Sequence, residues 1–486
     1  MALSSSKNKF NMLSYAYLSL QSDSSSTKFS LNVADSDWGP NETLLSALTG
    51  TLVKYSHNGR IEPYLAQDFN VSDDSLKWRF NLRPNLYTQN GILIDAAFFK
   101  RCLESQLKLY GKVGNPLDFE LLQGWEEFNK SKALGISGIV ANGHSLSFIM
   151  RNKPMDFLEL LRMPYFGVWN SIVESDTKIN TFQSTGAYQI VPELSNEHKI
   201  VLKKRKNWFS ISEKSVDIIE FKYLSDKEIN TGEYNILQAT SANPPKPIES
   251  FHLVSGTPSR MNAITLSPHK EGLFKNETNR RVFANKLKML QEQARFIKSK
   301  YFYPSAQSKV ITNVVETFVG DLTGKEVNFA FLSASLKPNL GEETIGFIKK
   351  IFEETGAIVK FHFGEPMKNN WMQRLLGNIE FDARINNVDI GGHIQNAAIK
   401  MMFCSKLGVN FPDPSGRICN LVKKQDQRGG PITQEYISEF NQILAEDAVV
   451  IPLMHFGITW HLSEKIDPAT FPPTVVSPLF ESIHFK

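Results

Sequence analysis

Hydrophobic and polar residues alternate between positions 77 and 83, and this pattern predicts a β-strand with one buried face. Trp78, Phe80 and Leu82 occupy every second position, and charged or amide side chains stand between them. Side chains of a strand return to the same face with this period of two residues. The polar run at residues 72–74 predicts a turn before the strand, because short polar side chains bond to their own backbone.

A second turn and a helix are predicted after this strand. The pair Asn90-Gly91 indicates the turn, since glycine reaches positive φ without steric cost. Asp95 precedes the next apolar-periodic run and has the side chain of a helix N-cap. One face of this predicted helix carries Phe98, Cys102, Leu103 and Leu107. The stretch from 63 to 99 therefore predicts a strand, a turn and a helix in that order.

A strand–helix–strand unit is predicted in the second half of the chain. Residues 326–332 and 357–363 have strand patterns, and residues 342–354 have a helical pattern that ends before Gly356. Glycine directly after a helix favours the left-handed backbone that ends it. A unit of this kind pairs its strands in parallel through a right-handed crossover.

Other patterns predict elements elsewhere in the chain. Residues 29–34 predict an early strand, and residues 44–52 predict a helix. Residues 279–297 predict a long helix, because apolar residues recur there at steps of three and four. Apolar residues between 436 and 444 mark a last helix, and residues 449–453 predict a strand that ends near its proline.

Prolines interrupt the chain most strongly at residues 243–247, where the sequence is Asn-Pro-Pro-Lys-Pro. Three prolines in four residues cannot continue a helix or a central strand. We therefore expect the chain to cross here from one structural unit to another.

Composition narrows the class of protein without identifying it. The chain has 486 residues, of which 41% are hydrophobic and 21% are charged. These values are typical of a folded protein that is large enough to bury a core without cross-links. A net charge of +4 gives no reason to expect a nucleic-acid partner. No run of about 18 apolar residues occurs, so the sequence predicts no transmembrane helix.

The three cysteines do not make a disulfide framework. Cys404 and Cys419 can pair in an oxidising compartment, although their spacing alone does not decide whether they do. Cys102 stands on the apolar face of its predicted helix, which favours a small buried hydrophobic residue.

Motifs of catalysis and metal binding are missing from the sequence. It contains no G-x-S-x-G, P-loop, H-E-x-x-H or G-x-G-x-x-G motif. His362 and Glu365 are three residues apart at a predicted strand end, which favours a turn over a metal site. His455 and His461 flank a short apolar segment and are a weak metal candidate. A hydrolase or metalloenzyme is therefore the less favoured class, and we expect no catalytic residue, metal or cofactor.

Short motifs spread over most of the chain resemble, in their order and spacing, the extracellular solute-binding proteins of family 5. These are the oligopeptide- and dipeptide-type receptors of ABC importers. The motifs are P-x-L-A at 63–66, V-S-D-D at 71–74, W-x-F-x-L-R at 78–83, N-G at 90–91, D-A-A-F at 95–98, S-T-G-A-Y at 184–188, V-D-I-I-E-F at 216–221, G-E-Y-N-I at 232–236 and A-E-D-A-V-V-I-P-L at 445–453. Ser75 stands where the family usually has glycine, and Asn90 and Asn235 stand where it usually has aspartate.

The resemblance implies an α/β fold of the periplasmic-binding-protein type, class II. Such a protein has two lobes and an additional third domain, built from mixed sheets flanked by helices. Two crossovers, expected near residues 243–258 and 455–465, join the lobes. The implied boundaries are a flexible N-terminal segment at 1–27, a lobe I core at 28–52, 180–250 and 463–486, a small second domain of lobe I at 53–179, and a ligand-clamping lobe II at 251–462.

The resemblance also implies where a ligand binds. Peptide-binding members pair an acidic residue with the α-ammonium of the ligand, and Asp389 falls on that position. Asn386 and Asn387 precede it and are further candidates. A buried carboxylate facing an ammonium forms a charge-assisted hydrogen bond, which orients a peptide without reading its sequence. The alternative for Asp389 is a solvated loop residue.

Three aromatic residues are also candidates for ligand contact. Trp38 follows the first predicted strand, in a loop that lines the cleft of the family, and can cover an apolar group of the ligand. Packing between the lobes is the alternative for this residue. Tyr188 and Trp460 are expected near the hinge, with packing in the core as the favoured alternative for both.

The function that the resemblance implies is a non-enzymatic receptor of an ABC importer. Its lobes close on a solute by hinge bending, and the closed form docks on a membrane permease. Peptides are the default ligand, although members of the class also carry nickel chelates, haem, sugars and opines. A cytoplasmic ligand sensor of the same fold and a receptor for a non-peptide ligand such as a metal chelate or sugar remain alternatives. We expect a monomer with no nucleic-acid partner.

The N-terminus bears on the location of the protein. Residues 1–27 are rich in serine, and their mild apolar patch at Met12–Leu18 is too short and polar for the core of a signal peptide. A cytoplasmic protein and a processed form of an exported one both fit this observation. Because the resemblance implies export, we expect a periplasmic or cell-surface-anchored protein.

Overall fold

The structure of the chain, a computed structural model, combines three sheets of four or more strands with helices packed against them. It describes residues 11–18, 28–29, 31, 40–56, 60–112, 117–154, 156–168, 183–229, 232–240, 250–256, 260–268, 273–291, 319, 322–331, 336–363, 382–389, 399–404, 411–429, 432–471 and 478–486. Within these residues, no helix has both the length and the apolar character needed to cross a bilayer.

Strands and helices are mixed along the described chain. The strands are β1 (Met12–Leu18), β2 (Val53–Tyr55), β3 (Ile61–Pro63), β4 (Ala66–Val71), β5 (Lys77–Leu82), β6 (Ile139–Asn142), β7 (Ser145–Ile149), β8 (Tyr188–Ile190), β9 (Lys199–Lys204), β10 (Ile218–Leu224), β11 (Ile236–Thr240), β12 (Phe251–Ser255), β13 (Arg260–Leu266), β14 (Glu326–Phe331), β15 (Ile358–Phe363), β16 (Ala383–Asp389), β17 (Val450–Phe456) and β18 (Ile458–Ser463). The α-helices are α1 (Pro40–Leu48), α2 (Ala96–Lys112), α3 (Trp125–Asn129), α4 (Phe157–Leu161), α5 (Asp226–Ile229), α6 (Glu277–Gln291), α7 (Leu336–Glu353), α8 (Arg417–Arg428) and α9 (Gln434–Asp447).

A seven-stranded sheet lies at the centre of the first lobe. Its strand order is β12-β18-β11-β1-β10-β9-β8, and β1 runs parallel to its two neighbours, β10 and β11. Leu13, Tyr15 and Tyr17 alternate along β1 and are buried, and Ala16 between them is buried as well. The central position of β1 explains this burial, because neighbouring layers cover both faces of an inner strand.

The strand β1 corrects the prediction that residues 1–27 are a flexible segment. That prediction is wrong over Met12–Leu18, where parallel pairing on both sides orders the chain. Apolar residues alternate within this patch, which is a pattern typical of a strand, but the patch is too short for the pattern to stand out in the sequence. Of the strand predicted at 29–34, the structure describes Phe29 and Leu31, which are both buried and lie outside any strand.

A four-stranded sheet, in the order β4-β5-β7-β6, forms the second domain of the first lobe. Phe80 and Leu82 of β5 are buried, as the alternation predicts. The carboxylate of Asp95 accepts a hydrogen bond of 2.7 Å from the amide of Phe98, which confirms the predicted N-cap of α2. One continuous apolar core joins this sheet to the seven-stranded sheet, so the two form a single lobe.

A five-stranded sheet, in the order β15-β14-β16-β13-β17, forms the second lobe. Strands β14 and β15 are parallel, and α7 connects them, which confirms the predicted strand–helix–strand unit. Gly356 follows α7 with φ of +76°, the left-handed conformation expected there. Helices α6 and α7 pack on one face of the sheet, and α8 and α9 pack on the other.

Two further findings concern the second lobe. Pro452 lies inside β17 rather than at its end, a position that is tolerated because β17 is an edge strand with a register shift beside this proline. Cys404 and Cys419 form a disulfide bond between a helical turn at Lys400–Cys404 and α8. In the first lobe, by contrast, Cys102 is buried on α2, as predicted.

Two adjacent passages of the chain connect the lobes. Strand β12 belongs to the first sheet and β13 to the second, so the chain crosses between Ser255 and Arg260. It returns at Gly457, between β17 and β18. The first passage falls at the end of the predicted crossover at 243–258, and the second lies within the one predicted at 455–465. The crossing expected at the prolines of 243–247 is wrong, because the strands before and after them, β11 and β12, belong to the same sheet; the prolines themselves lie outside the described residues. The predicted lobe II at 251–462 extends too far at both ends, because β12 and β18 pair with each other within the seven-stranded sheet.

Candidate functional site

The two large sheets present the carboxyl ends of their parallel strands to the junction between the lobes. In the first sheet, β1, β10 and β11 end there, and Thr240 at the end of β11 pairs with Ile458 at the start of β18. In the second sheet, β14, β15 and β16 end there, and Asp389 at the end of β16 pairs with Arg260. We call these two borders the junction edges. Ligands of open α/β sheets bind beyond the carboxyl ends of the strands.

The described residues on either side of the two passages pair with each other, as expected for a two-stranded hinge. On the first-lobe side, the amide of Gly256 donates a hydrogen bond of 2.9 Å to the carbonyl oxygen of Ile458. On the second-lobe side, Arg260 pairs with Phe456 in the ladder of β13 and β17. A few residues at the ends of secondary-structure elements are the kind of hinge about which lobes rotate.

The three polar candidates of the sequence lie together on β16. Asp389 is its last residue and stands at the junction edge. Asn387 and Asn386 lie two and three residues further into the sheet, opposite Asn262 and Ala263 of β13. The fold thus brings Asp389 to the border where a ligand is expected, and the ligand contacts of all three residues stay predictions.

The aromatic candidates do not share that border. Trp38 lies outside the described residues. Tyr188 is fully buried in β8, and its hydroxyl lies 3.2 Å from the carbonyl oxygen of Val216 and 3.3 Å from that of Phe480. Trp460 is also buried, in β18. For Tyr188 and Trp460, these positions favour packing in the core over contact with a ligand, because protein groups already engage or cover them.

A buried hydrogen-bond network anchors the hinge strand β18 to the first lobe, and the sequence did not indicate it. The indole Nε1 of Trp460 donates to the hydroxyl of Tyr15 at 2.9 Å, and that hydroxyl donates to Oε1 of Gln238 at 2.7 Å. The hydroxyl of Thr43 also reaches Oε1 of Gln238, at 3.3 Å. Burial raises the pKa of Tyr15, so the phenol stays protonated and keeps its role as a donor. The network ties β18, β1, β11 and α1 together beside the hinge.

A charged contact joins the lobes away from the hinge. Nζ of Lys400, in the second lobe, forms an ion pair with Glu120, in the second domain of the first lobe. The same atom lies 3.0 Å from Oδ2 of Asp426 on α8. Burial by itself would lower the pKa of Lys400, but the two carboxylates raise it above the ordinary value. The lobes therefore meet in this structure through a cation that is held charged.

A groove of about 500 Å³ lies on the second lobe between α8 and α9. Its lining includes Arg417 and Glu446, which pair with each other, and Lys424 and Glu439. No residue of either junction edge lines this groove. The groove is therefore separate from the site at which the two sheets face each other.

A family model matches the middle of the chain. Residues 60–285 match the model described as bacterial extracellular solute-binding proteins, family 5, middle. This range includes β3 to β13, which comprise the second domain, most of the first sheet and the first passage into the second lobe. The match supports the family predicted from the sequence. A comparison with curated proteins finds no match.

Solved structures of similar fold cover nearly the whole chain. The periplasmic binding protein DppA of Helicobacter pylori, in complex with the peptide STSA, has a TM-score of 0.73 at 16% identity and covers 98% of both chains. OppA of Haemophilus influenzae, in complex with RPPGFSPFR, has a TM-score of 0.75 at 11% identity, covering 98% of this chain and 99% of that one. NikZ of Campylobacter jejuni, in complex with Ni(L-His), has a TM-score of 0.71 at 14% identity, covering 98% and 100%. At such identities these likenesses confirm the predicted fold.

Proposed function

We propose that this chain, which belongs to the bacterial extracellular solute-binding proteins of family 5, is the solute receptor of an ABC importer. One observation carries the proposal. The carboxyl ends of parallel strands in two separate sheets face one junction, and two adjacent passages of chain form a hinge beside it. Rotation about this hinge opens and closes the space between the junction edges.

A peptide or another small solute with a positive group is the ligand class that we propose. Asp389 ends β16 at the junction edge, and we propose that it pairs there with an ammonium group of the ligand through a charge-assisted hydrogen bond. Similar structures contain peptides in two cases and a nickel–histidine chelate in a third. Peptides are favoured within this class, because an aspartate at the end of a strand can form an ion pair with the α-ammonium of a peptide.

The remaining parts of the proposal follow from the family. The receptor acts outside the cytoplasm, in the periplasm or anchored at the cell surface, and its closed form delivers the solute to a membrane permease. It acts as a monomer, because one chain supplies both junction edges. It performs no chemical reaction on its ligand, so binding and release by hinge motion are its whole cycle.

Native mass spectrometry of the purified full chain tests the proposal most directly. We expect a co-purified solute, or binding of members of a random pool of tripeptides to pentapeptides. Small-angle X-ray scattering on the same samples should show a smaller radius of gyration with the pool than without it. A chain that binds neither the pool nor nickel–histidine, and whose radius does not change, would contradict the proposal.

The experiment also separates the alternatives. Binding of nickel–histidine without binding of any peptide would identify a receptor for chelates. The cytoplasmic sensor differs from the receptor in location, and fractionation of the source cells distinguishes the two. Recovery of the protein only in the cytoplasmic fraction would overturn the importer role and leave ligand binding intact.

A further inference from the structure

Asn262 is a buried asparagine whose side chain has no hydrogen-bond partner among the described residues. It lies in β13 with 1% of its surface exposed, and neither Nδ2 nor Oδ1 is hydrogen-bonded to a group in the part of the chain that the structure describes. The large majority of buried side-chain polar atoms in proteins are hydrogen-bonded, so an amide with both functions unused needs an explanation. A ligand that pairs with both functions of the amide supplies one.

The position of Asn262 is that of a residue at the binding cleft. It is two residues from Arg260 at the junction edge, a depth of roughly 7 Å along a strand. In the sheet it stands between Asn387 of β16 and Met454 of β17. Its neighbour Arg260 stands opposite Asp389, the predicted ligand anchor. Asn262 is therefore on the same border of the second lobe as Asp389, one strand away.

The sheet is irregular at this residue. The register between β13 and β17 shifts between Asn262 and Ala263, because Asn262 faces Met454 and Ala263 faces Pro452. One extra residue in β17 interrupts the ladder there. Bulges of this kind occur beside functional sites, where they redirect a side chain or end the pairing.

The apolar row along β13 also changes character here. Ile264 and Leu266 lie at every second position after Asn262 and belong to the core that α6 and α7 cover. Asn262 extends the same row towards the junction, and it places an amide where the core pattern would place an aliphatic side chain. A buried position next to an apolar core favours a hydrophobic residue, unless a polar partner compensates for the burial of a polar one.

We propose that Asn262 binds a backbone amide of a peptide ligand. The inference rests on the proposed function. It assigns to this part of the site the recognition of the peptide units of the ligand. A carboxamide offers one donor group and one acceptor, which complement the carbonyl oxygen and the N–H of a peptide unit. Paired in this way, Asn262 fixes the main chain of the ligand irrespective of its side chains, and Asp389 fixes its amino end.

The test compares two asparagines of the second lobe. Asn279 is 3% exposed, its Nδ2 donates to the carbonyl oxygens of Leu273 and Val319, and its Oδ1 accepts from the amide of Val319. Asn262→Leu should leave the melting temperature of the ligand-free protein unchanged or raise it, and should weaken binding of the tightest peptide in the pool at least tenfold. Asn279→Leu should lower the melting temperature and leave that affinity unchanged.

A second measurement compares two ligands on the same protein, so the result is a ratio that does not depend on the amount of correctly folded protein. Wild type should bind the peptide at least tenfold more tightly than the depsipeptide with esters in place of its amides, and Asn262→Leu should lose this preference. Equal affinity for peptide and depsipeptide, or unchanged peptide affinity in Asn262→Leu, would overturn the assignment and leave the receptor function standing. Failure of wild type to bind any member of the pool, with no change in its radius of gyration, would instead contradict the proposed function itself.

Discussion

Lys400 of the second lobe is paired at once with Glu120 of the first lobe and with Asp426 of its own lobe. The two carboxylates differ in what happens to them when the hinge opens. Rotation of the lobes separates Lys400 from Glu120, whereas Asp426 moves with Lys400 as part of the same body. The pair between Lys400 and Glu120 therefore stabilises the arrangement in which the lobes meet, as in this structure, over an arrangement in which they have separated.

We expect Glu120→Gln to weaken ligand affinity by about 1.4- to fivefold. Partly exposed ion pairs contribute about 0.2–1 kcal/mol, and 1.4 kcal/mol corresponds to a factor of ten in affinity. Isothermal titration calorimetry at low and at 0.5 M salt measures the effect, which salt should reduce in wild type because it screens the charges. Asp426→Asn is the control, since it alters a contact within one lobe. Equal affinities of wild type and Glu120→Gln at low salt would show that the pair does not favour closure.

Replacing Asp389 tests the anchor of the ligand. Asp389→Ala should abolish the thermal stabilisation by peptide, which for wild type amounts to about 2.7 kcal/mol at a hundred times Kd. The melting temperature without ligand should stay nearly constant, because Asp389 is the last residue of its strand. Asp382→Ala is the control, because Asp382 directly precedes Ala383, the first residue of β16. The carboxylate of Asp382 accepts from the amide of Asn328 at 2.9 Å, so this change should destabilise the chain without altering peptide affinity. Undiminished stabilisation of Asp389→Ala by peptide would refute the anchor.

Ser75 offers a test of backbone strain in the second domain. Its φ is +59°, a left-handed conformation that costs a non-glycine residue about 1–2 kcal/mol. Ser75→Gly should raise the free energy of unfolding by roughly 0.5–1 kcal/mol, after allowance for the extra freedom of glycine in the unfolded chain. Ser72→Gly should have the opposite effect, because the hydroxyl of Ser72 accepts from the amide of Lys77 at 2.9 Å. Urea denaturation of the two variants measures both changes, and a loss of stability in Ser75→Gly would contradict the argument.

His461 makes stability depend on pH. It is 4% exposed in β18, and burial lowers its pKa below the ordinary value of 6.5. The unfolded chain therefore takes up a proton at a higher pH than the folded chain does. The stability due to neutral His461 is complete above pH 6.5 and is lost as the pH falls towards the folded pKa.

His461→Leu should therefore flatten the decline of the melting temperature between pH 6.5 and pH 5. Calorimetric scans of wild type and variant across this range provide the measurement. His252→Leu, at an exposed position of the neighbouring strand β12, is the control and should leave the slope as in wild type. Parallel curves for wild type and His461→Leu would show that this histidine does not cause the decline.

The disulfide between Cys404 and Cys419 should stabilise the second lobe. The two residues are 15 apart in sequence, and closing a loop of this size in the unfolded chain is worth about 3 kcal/mol. The double variant Cys404→Ser, Cys419→Ser should unfold at lower urea concentration than the oxidised wild type. Wild type treated with dithiothreitol should match the variant. Identical midpoints for the oxidised and reduced protein would exclude this contribution.

Much of the local structure could be predicted, because its causes lie close together in sequence. The alternation through Trp78, Phe80 and Leu82 predicts β5, and the cap at Asp95 predicts the start of α2. Gly356 similarly marks the end of α7 in the strand–helix–strand unit. Each of these signals acts within a few residues, through side-chain period, a single hydrogen bond or one left-handed dihedral angle.

The same locality explains the errors. Met12–Leu18 carries the alternation of a strand, but its order depends on pairing with β10 and β11, more than 200 residues away. In the predicted boundaries, β12 and β18 were counted with the second lobe. Their partners, rather than their own residues, decide the sheet to which they belong.

The sequence by itself indicated the family and the class of fold, and it singled out Asp389 as a ligand candidate. The order and spacing of motifs can be recognised without knowing which residues are in contact. Tertiary structure alone decided what surrounds that residue. It set Asp389 opposite Arg260 and Asn387 opposite Asn262, and it brought Lys400 to Glu120 across 280 positions. Register and the meeting of lobes arise from packing between distant segments, and no local pattern of residues encodes which distant partner a strand or a charge will find.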